Sequence, residues 1–478
     1  MAQSLRAGVG RVDITPQLPI DLIGYSRRWQ AVSEIRAPLT ATALLLDDGD
    51  QRVVLIGLDI PILRPEAATA MRQAAAQAVD TTPESILINV SHTHASPHTH
   101  TGGIKIGGDQ RGHSDNELTY IEQLPGLVVE SARAAAQELH PVRVGGGVGF
   151  SDLAVNRRER APDGRTILGW NPDEYCDRDV GVLRVDKEDG TPFAIVVNYA
   201  CHPVVVGPED LAVNPDFPGP MRDFVEKASG ATCLFLQGAG GNVLPLEGFF
   251  DHSGPEVAFG ERLGVEVLHT AAQIEPTATE IKKLDYGSVT PISLYRRIPF
   301  ADQPAQALGV AARTVDLPLK ELPTEDSLEL ELDDYRQAVW EAQEAGSPRE
   351  VINPLEYHVN WAEEAMRILK GGDVSNTVPA FLQAIRIGDS VISAVPGEVF
   401  SEIARQIKHR SPASTTLFAG YSNGVISYLP TAAEYPFGGY ECDYAHHSYG
   451  LVEQVAPETE AILVENCTSL IEELFPKK

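Results

Sequence analysis

The sequence predicts an α/β fold. Apolar runs with strand character alternate with Ala-rich helical segments through the first half. Several of those strands end on polar, chemically versatile residues, the usual site geometry of α/β proteins. The chain's 478 residues, 43% of them hydrophobic, supply a large core and more chain than one small domain uses. The expected division is an N-terminal α/β part, 1–277, and a second α/β part, 278–478, forming one catalytic unit.

In order along the chain, LTATALLLDD reads as a strand that turns at Gly49-Asp50, and QRVVLIGLDI as a second with Asp59 near its end. Pro65 to Val79 is rich in Ala, Met and Gln and reads as a helix. SILINVSHTH is read as a strand running straight into its histidines, followed by a helix over Tyr120 to Leu139. PFAIVVNYACHP is a strand ending on His202, Met221 to Ala228 a helix, and ATCLFLQGAGGN a strand opening into a glycine-rich loop. Beyond Pro276 the pattern changes: Glu280 to Pro299 reads as strands, and Leu319 to Lys370 as charged, solvated helix. FLQAIRIGDSVISAVPGE reads as a hairpin around Gly388-Asp389. An amphipathic helix at VFSEIARQIKHR, a strand at TTLFAGYSN and a packing helix from Pro457 to Leu474 complete the chain.

Composition excludes some partners. Against 38 Lys+Arg stand 67 Asp+Glu, a net charge of -29, which repels phosphate backbones and anionic membrane faces. Nucleic acid and a stable membrane anchor are therefore not expected. The five cysteines, Cys176, Cys201, Cys233, Cys442 and Cys467, form no C-x-x-C pair and are odd in number, as in a reducing compartment. No apolar leader opens the sequence, and no window approaches the ~18 apolar residues of a spanning helix. A cytoplasmic, soluble protein is the expectation.

The segment His92-Thr-His94-Ala-Ser-Pro97-His98-Thr-His100 holds four of the 13 histidines. In an extended strand, His92 and His94 share a face, because side chains two apart point the same way. Two imidazoles at a strand end suit a divalent metal, most often zinc; the bland alternative is a His-rich surface loop. Pro97 separates His98 and His100 from the pair. A catalytic metal takes about three protein ligands and an open position, and His202, also at a strand end, is the next candidate.

Other motifs fail their tests. Gln237-Gly-Ala-Gly-Gly-Asn242 lacks the Lys-Ser/Thr of a phosphate loop and the spacing of a dinucleotide fold. It reads either as a loop bringing amides to a substrate oxygen or as a tight turn. A dinuclear H-x-H-x-D-H site is excluded by Ser96 and Pro97 at its last two positions.

An ordered set of blocks resembles the neutral/alkaline non-lysosomal ceramidase family. It comprises Gly8-Val-Gly-Arg-Val-Asp-Ile-Thr-Pro16, Gly24-Tyr25, Asp59, His92-Thr-His94, Asn156-Arg157, His202-Pro203 and the glycine-rich loop. Arg386-Ile-Gly-Asp389, Pro396-Gly-Glu398, Asn423, Tyr428, Glu434-Tyr435 and Tyr440-Glu441 continue it. The resemblance implies a multilayer mixed-sheet zinc-hydrolase core, with Zn2+ on His92, His202, Glu398 and Tyr428 and with His94, Arg157 and Tyr440 lining the site. Without it, Pro396-Gly-Glu398 reads as a turn leading into a helix whose first turn holds Glu398. Leu244 stands where the family commonly has a serine, which closes an acyl-serine route there. The resemblance also implies a short member without the family's C-terminal immunoglobulin-like domain.

The function expected is zinc-dependent hydrolysis of a C–N amide bond, on a soluble N-acyl or cyclic amide, by attack of metal-bound water. His94 is the expected proton carrier, Arg157 and Tyr440 the expected oxyanion partners, and Asp59 a partner orienting one histidine. The alternatives are an esterase or lactonase on the same site, or a non-catalytic, zinc-stabilised ligand-binding protein.

Overall fold

The computed structural model describes residues 4–101, 112–285, 290, 292–372 and 374–475. The first part supplies β1 (Arg6–Asp13), β2 (Thr40–Asp47), β3 (Arg52–Leu58), α1 (Pro65–Ala78), β4 (Ile86–Val90), α2 (Asp115–Gln137) and β5 (His140–Phe150). It continues with β6 (Ala154–Arg160), β7 (Thr166–Asn171), β8 (Asp179–Lys187), β9 (Pro192–Tyr199), α3 (Pro218–Ser229), β10 (Thr232–Gln237), β11 (Val243–Pro245) and α4 (Pro255–Gln273). The second supplies β12 (Thr279–Leu284), β13 (Leu294–Pro299), β14 (Leu308–Pro318), α5 (Glu325–Glu344), α6 (Arg349–Gly371), β15 (Thr377–Ile387) and β16 (Ser390–Ala394). It closes with β17 (Glu398–Val399), α7 (Ser401–Arg410), β18 (Thr415–Ala419), β19 (Tyr428–Leu429), α8 (Tyr440–Asp443) and α9 (Thr459–Leu474).

Two sheets stack between helices, in a mixed α/β, four-layer arrangement. The larger sheet has eight strands in the order β10-β9-β8-β5-β1-β2-β3-β4; the smaller runs β14-β15-β16-β18. Alternation along the strands builds the layers. Ala43, Leu45, Val54 and Ile56 pack with Met71, Leu124 and Val128 of α1 and α2. Their neighbours Leu44, Leu46, Val53 and Leu55 face the other way, against Ile385, Ile392 and Leu417 of the smaller sheet. Phe217, just before α3, with Met221 of α3 and Leu263 of α4, covers β8–β10, while α7 and α9 cover the far face of the smaller sheet. A sheet buried on both faces needs nearly continuous apolar strands, which is why these runs are legible.

The predicted elements at β2, β3, α1, α3, β10, β12, β13, α5, α6, α7, β18 and α9 are present, as is the β15–β16 hairpin, with Gly388 at φ 60°. The local pattern gives no sign of the strands β1, β5, β6, β7, β8, β11 and β14 or of the helix α4. Glycines interrupt the apolar pattern in β1 and β5, where RAGVGRVD and HPVRVGGGVGF stand.

Buried amides join edges that backbone pairing leaves open. Strands β4 and β10 lie at opposite ends of the larger sheet, yet Gln237 N donates to Asn89 Oδ1 (2.7 Å) and Asn89 Nδ2 donates to Gln237 O (3.3 Å). Likewise Asn198 of β9 exchanges hydrogen bonds with Phe418 of β18, at 2.9 and 3.0 Å, tying the two sheets together. All five cysteines are free and buried. Among the described residues, no helix is long and apolar enough to cross a membrane.

Candidate metal centre

Strand β4 ends at Val90, before the histidines, which corrects the reading of SILINVSHTH as one continuous strand. His92 sits in the left-handed region at φ 69°, uncommon for a residue with a Cβ. The backbone still tracks β3: Ser91 N donates to Leu58 O and His92 N to Ile60 O. The pair converges nonetheless, with His92 Nε2 and His94 Nε2 3.2 Å apart, by turn geometry rather than strand alternation. His202 lies three residues beyond β9.

One side chain holds both loops. Gln237 Nε2 donates to Ser91 O (3.2 Å) and to Cys201 O (2.7 Å), the carbonyls immediately before His92 and His202. The Nδ1 of His92 lies 2.6 Å from Pro61 O, and that of His202 2.6 Å from Gly240 O. A carbonyl only accepts, so each Nδ1 carries the proton and each Nε2 presents a lone pair. The ring nitrogens of His92, His94 and His202 fall within 4.8 Å of one another.

Glu398 arrives on β17, which pairs with β19 so that Glu398 stands opposite Tyr428. It belongs to a short strand, not to a helix's first turn; α7 begins at Ser401. Glu398 Oε2 is 3.1 Å from His202 Nε2 and 3.5 Å from His92 Nε2. Tyr428 Oη is 3.3 Å from His202 Nε2. The four residues expected to share a metal therefore meet, all buried. Two aimed lone pairs, a carboxylate and a phenol in a buried pocket form a donor set that fits a divalent cation with nitrogen and oxygen preference.

Burial alone raises the Glu398 carboxyl, but His92, His202 and the Tyr449 phenol hold it well below the usual carboxylate range. Burial lowers His202 to about 4, with Arg157 adding to the effect. Burial, with His92 and His202, also keeps His94 well below its ordinary value, so its imidazole is neutral at pH 7. Burial and the nearby acids raise the phenol of Tyr428 despite Arg157.

Arg157 and Tyr440 line the cavity above these groups, together with His94 and Leu244. Burial works against the charge of Arg157, but Tyr428, Glu441 and Glu398 outweigh it and keep the side chain cationic. Its Nε donates to Glu441 Oε1 (2.7 Å), while its buried Nη2 has no hydrogen-bond partner among the described residues. Asp59 corrects an expectation: it touches none of the histidines. Its carboxylate is filled by Arg222 (two bonds of 2.7 Å) and by the Thr40 amide and hydroxyl.

Sequence reasoning missed the residues that grip Glu398. Tyr421 Oη donates to Glu398 Oε2 (3.0 Å), and Tyr449 Oη donates to Glu398 Oε1. Tyrosines in a loop and a short 3-10 turn carry no periodic signal. The glycine-rich loop is also resolved: the amides of Gly238, Gly240 and Gly241 donate to Tyr199, Gly238 and Val399 carbonyls. They are committed within the protein. The loop's contribution is close approach, since a Cβ on Gly241 would stand 2.2 Å from Glu398 O.

Residues 5–236 match the family described as neutral/alkaline non-lysosomal ceramidase, N-terminal. The chain's fold is similar to that of neutral ceramidase from Pseudomonas aeruginosa, with a TM-score of 0.66 at 18% identity over 99% of this chain and 74% of that one. A ceramidase complexed with C2 gives a TM-score of 0.67 at 17% identity, over 99% and 75% of the two chains. At these identities the likeness is one of fold.

Proposed function

We propose that this chain is a zinc-dependent hydrolase that cleaves a C–N amide bond, with His92, His202, Glu398 and Tyr428 holding the metal. The observation that carries the reading is the meeting of His92 and His202 with Glu398, contributed from nearly two hundred residues downstream. The parts 1–277 and 278–478 then form one catalytic unit, because neither holds the donor set alone.

When bound, Zn2+ polarises a carbonyl and lowers the pKa of water toward ~7. The chain's own groups do the rest. His94, neutral and beside His92, accepts a proton from the attacking water and passes it to the departing amine nitrogen. Arg157 offers its unpartnered Nη2 to the oxyanion, and Tyr440, half-buried and protonated, offers a second donor. Tyr421 and Tyr449 keep Glu398 oriented. Leu244 lines the cavity where a serine nucleophile would have to stand.

The test is metal analysis of the purified protein followed by turnover of matched amide and ester substrates. Stoichiometric zinc and amide hydrolysis abolished by chelation are the expected result. Turnover of the ester alone assigns an esterase. Bound zinc with no turnover of either substrate returns the chain to a ligand-binding role.

A further inference from the structure

The cavity above the donor set is about 290 Å³, at the lower end of the range for small-molecule sites. Among the described residues, its charged lining consists of Arg157 and Arg27, with no carboxylate. That is a local reversal in a chain of net charge -29. Around the donor set and Arg157 the acids are already committed, Glu398 to His202 and Tyr421, and Glu441 to Arg157 and Arg158.

Arg27 differs from Arg157. It is exposed at the rim, makes no hydrogen bond among the described residues, and has the Glu350 carboxylate as a charge neighbour on its outer side. Glu209 and Glu350 line an adjoining outer hollow, which shares Arg27 and Pro208 with the cavity. Arg27 therefore marks the boundary between an acid-lined exterior and an acid-free interior. Its backbone is pinned on both sides. Ser26 O accepts from Asn353 Nδ2 (2.8 Å), and the Arg28 guanidinium donates to the carbonyls of His94, Gly207 and Asp210 (2.7–3.1 Å). The same clamp that fixes Arg27 at the mouth fixes His94 inside it, a preorganised spacing between a cation and the reacting centre. Tyr25, Phe249 and Tyr444 add aromatic wall.

We propose that the site takes an amide bearing a carboxylate, of which an N-acyl amino acid is the simplest form, with Arg27 receiving the carboxylate at the rim. The proposal rests on the amide-hydrolase reading above. In the reaction, water's oxygen forms the new C–O bond, the C–N bond breaks, and the amine leaves with one of water's protons. The products are a carboxylic acid and an amino acid.

The probes are N-acetylphenylalanine and N-acetylphenethylamine, which differ by the carboxylate alone. With zinc-loaded protein, kcat/KM should favour the acid by about tenfold or more, the scale of a charge-assisted hydrogen bond. Calorimetry on the metal-free protein should show the same order of affinity. In Arg27→Gln, with Tm unchanged, both ratios should fall toward one. Equal or better use of the uncharged amide, ratios unmoved by Arg27→Gln, or no binding of either probe would overturn the proposal. Turnover of the uncharged amide without preference leaves the hydrolase reading standing. Absence of all amide turnover with zinc bound sinks that reading instead, and the calorimetric ratio still decides the role of Arg27.

Discussion

Asn89 and Gln237 exchange two hydrogen bonds between strands at opposite ends of one eight-stranded sheet. The side-chain amide of Asn89 substitutes for a missing backbone partner, and it also donates to Gly420 O (2.6 Å). The Gln237 side chain then spans the two histidine loops. The candidate metal centre thus rests on a buried amide network outside the donor set.

Gln237→Ala leaves the carbonyls of Ser91 and Cys201 without this donor. Each buried, unsatisfied group costs about 1–3 kcal/mol. The expected outcome is a lower Tm and zinc affinity reduced by about 10–100-fold, as for outer partners of metal ligands, read by competition with a chromophoric chelator.

His202→Ala and His94→Ala separate binding from proton transfer. His202→Ala is expected to lose both zinc and turnover. His94→Ala should keep stoichiometric zinc and lose about 10²–10⁴ in kcat. Metal content and kcat measured on the same samples decide it; turnover in zinc-free His202→Ala refutes the mechanism.

Tyr421→Phe removes a donor from Glu398 while keeping the ring. Hydrogen bonds to charged groups contribute about 1.5–3 kcal/mol, so zinc affinity should drop by at least tenfold with little change in far-UV circular dichroism. Unchanged affinity would show that Tyr449 alone orients the carboxylate.

Gly24→Ala should lower activity by about 10²-fold without unfolding the chain. Gly24 has φ 102°, and a Cβ there would stand 2.5 Å from the His94 ring. The ring must move, and a displacement near 1 Å at a catalytic group costs about 10²-fold in rate. Retained zinc with lowered kcat is the expected pair of readings.

The α5–α6 hairpin predicts an acid weakness. His358 on α6 lies with its Nδ1 3.1 Å from that of His447, and His447 stacks on Trp361. Burial pushes His358 down to about 4, against ~6.5 when unfolded. A lowered folded pKa means that the unfolded chain takes the proton first. The stability contributed is therefore complete above about pH 6.5 and is lost as the pH falls toward about 4. Urea midpoints of the metal-free protein over that window should fall more steeply for wild type than for His358→Phe; parallel profiles would refute the assignment.

Much of the architecture was written in local pattern. The apolar runs of β2, β3 and β10 and the Ala-rich α1 follow from burial on both sheet faces and from helix propensity. His92, His94 and His202 stood out by residue type and position near strand ends. Local pattern failed where the chain leaves regular structure. Strand continuity did not anticipate the left-handed His92, and Asp59 turned out to serve Arg222 rather than a histidine.

By itself, then, the sequence determined the layered α/β build and which side chains could hold a cation, because periodicity and residue chemistry are local properties. Only the tertiary structure decided that Glu398 and Tyr428 reach the imidazoles, that Tyr421 and Tyr449 grip the carboxylate, and that Arg27 stands at the rim of the cavity above them. Those contacts join residues tens to hundreds of positions apart through sheet pairing and buried amides, and no spacing along the chain encodes them.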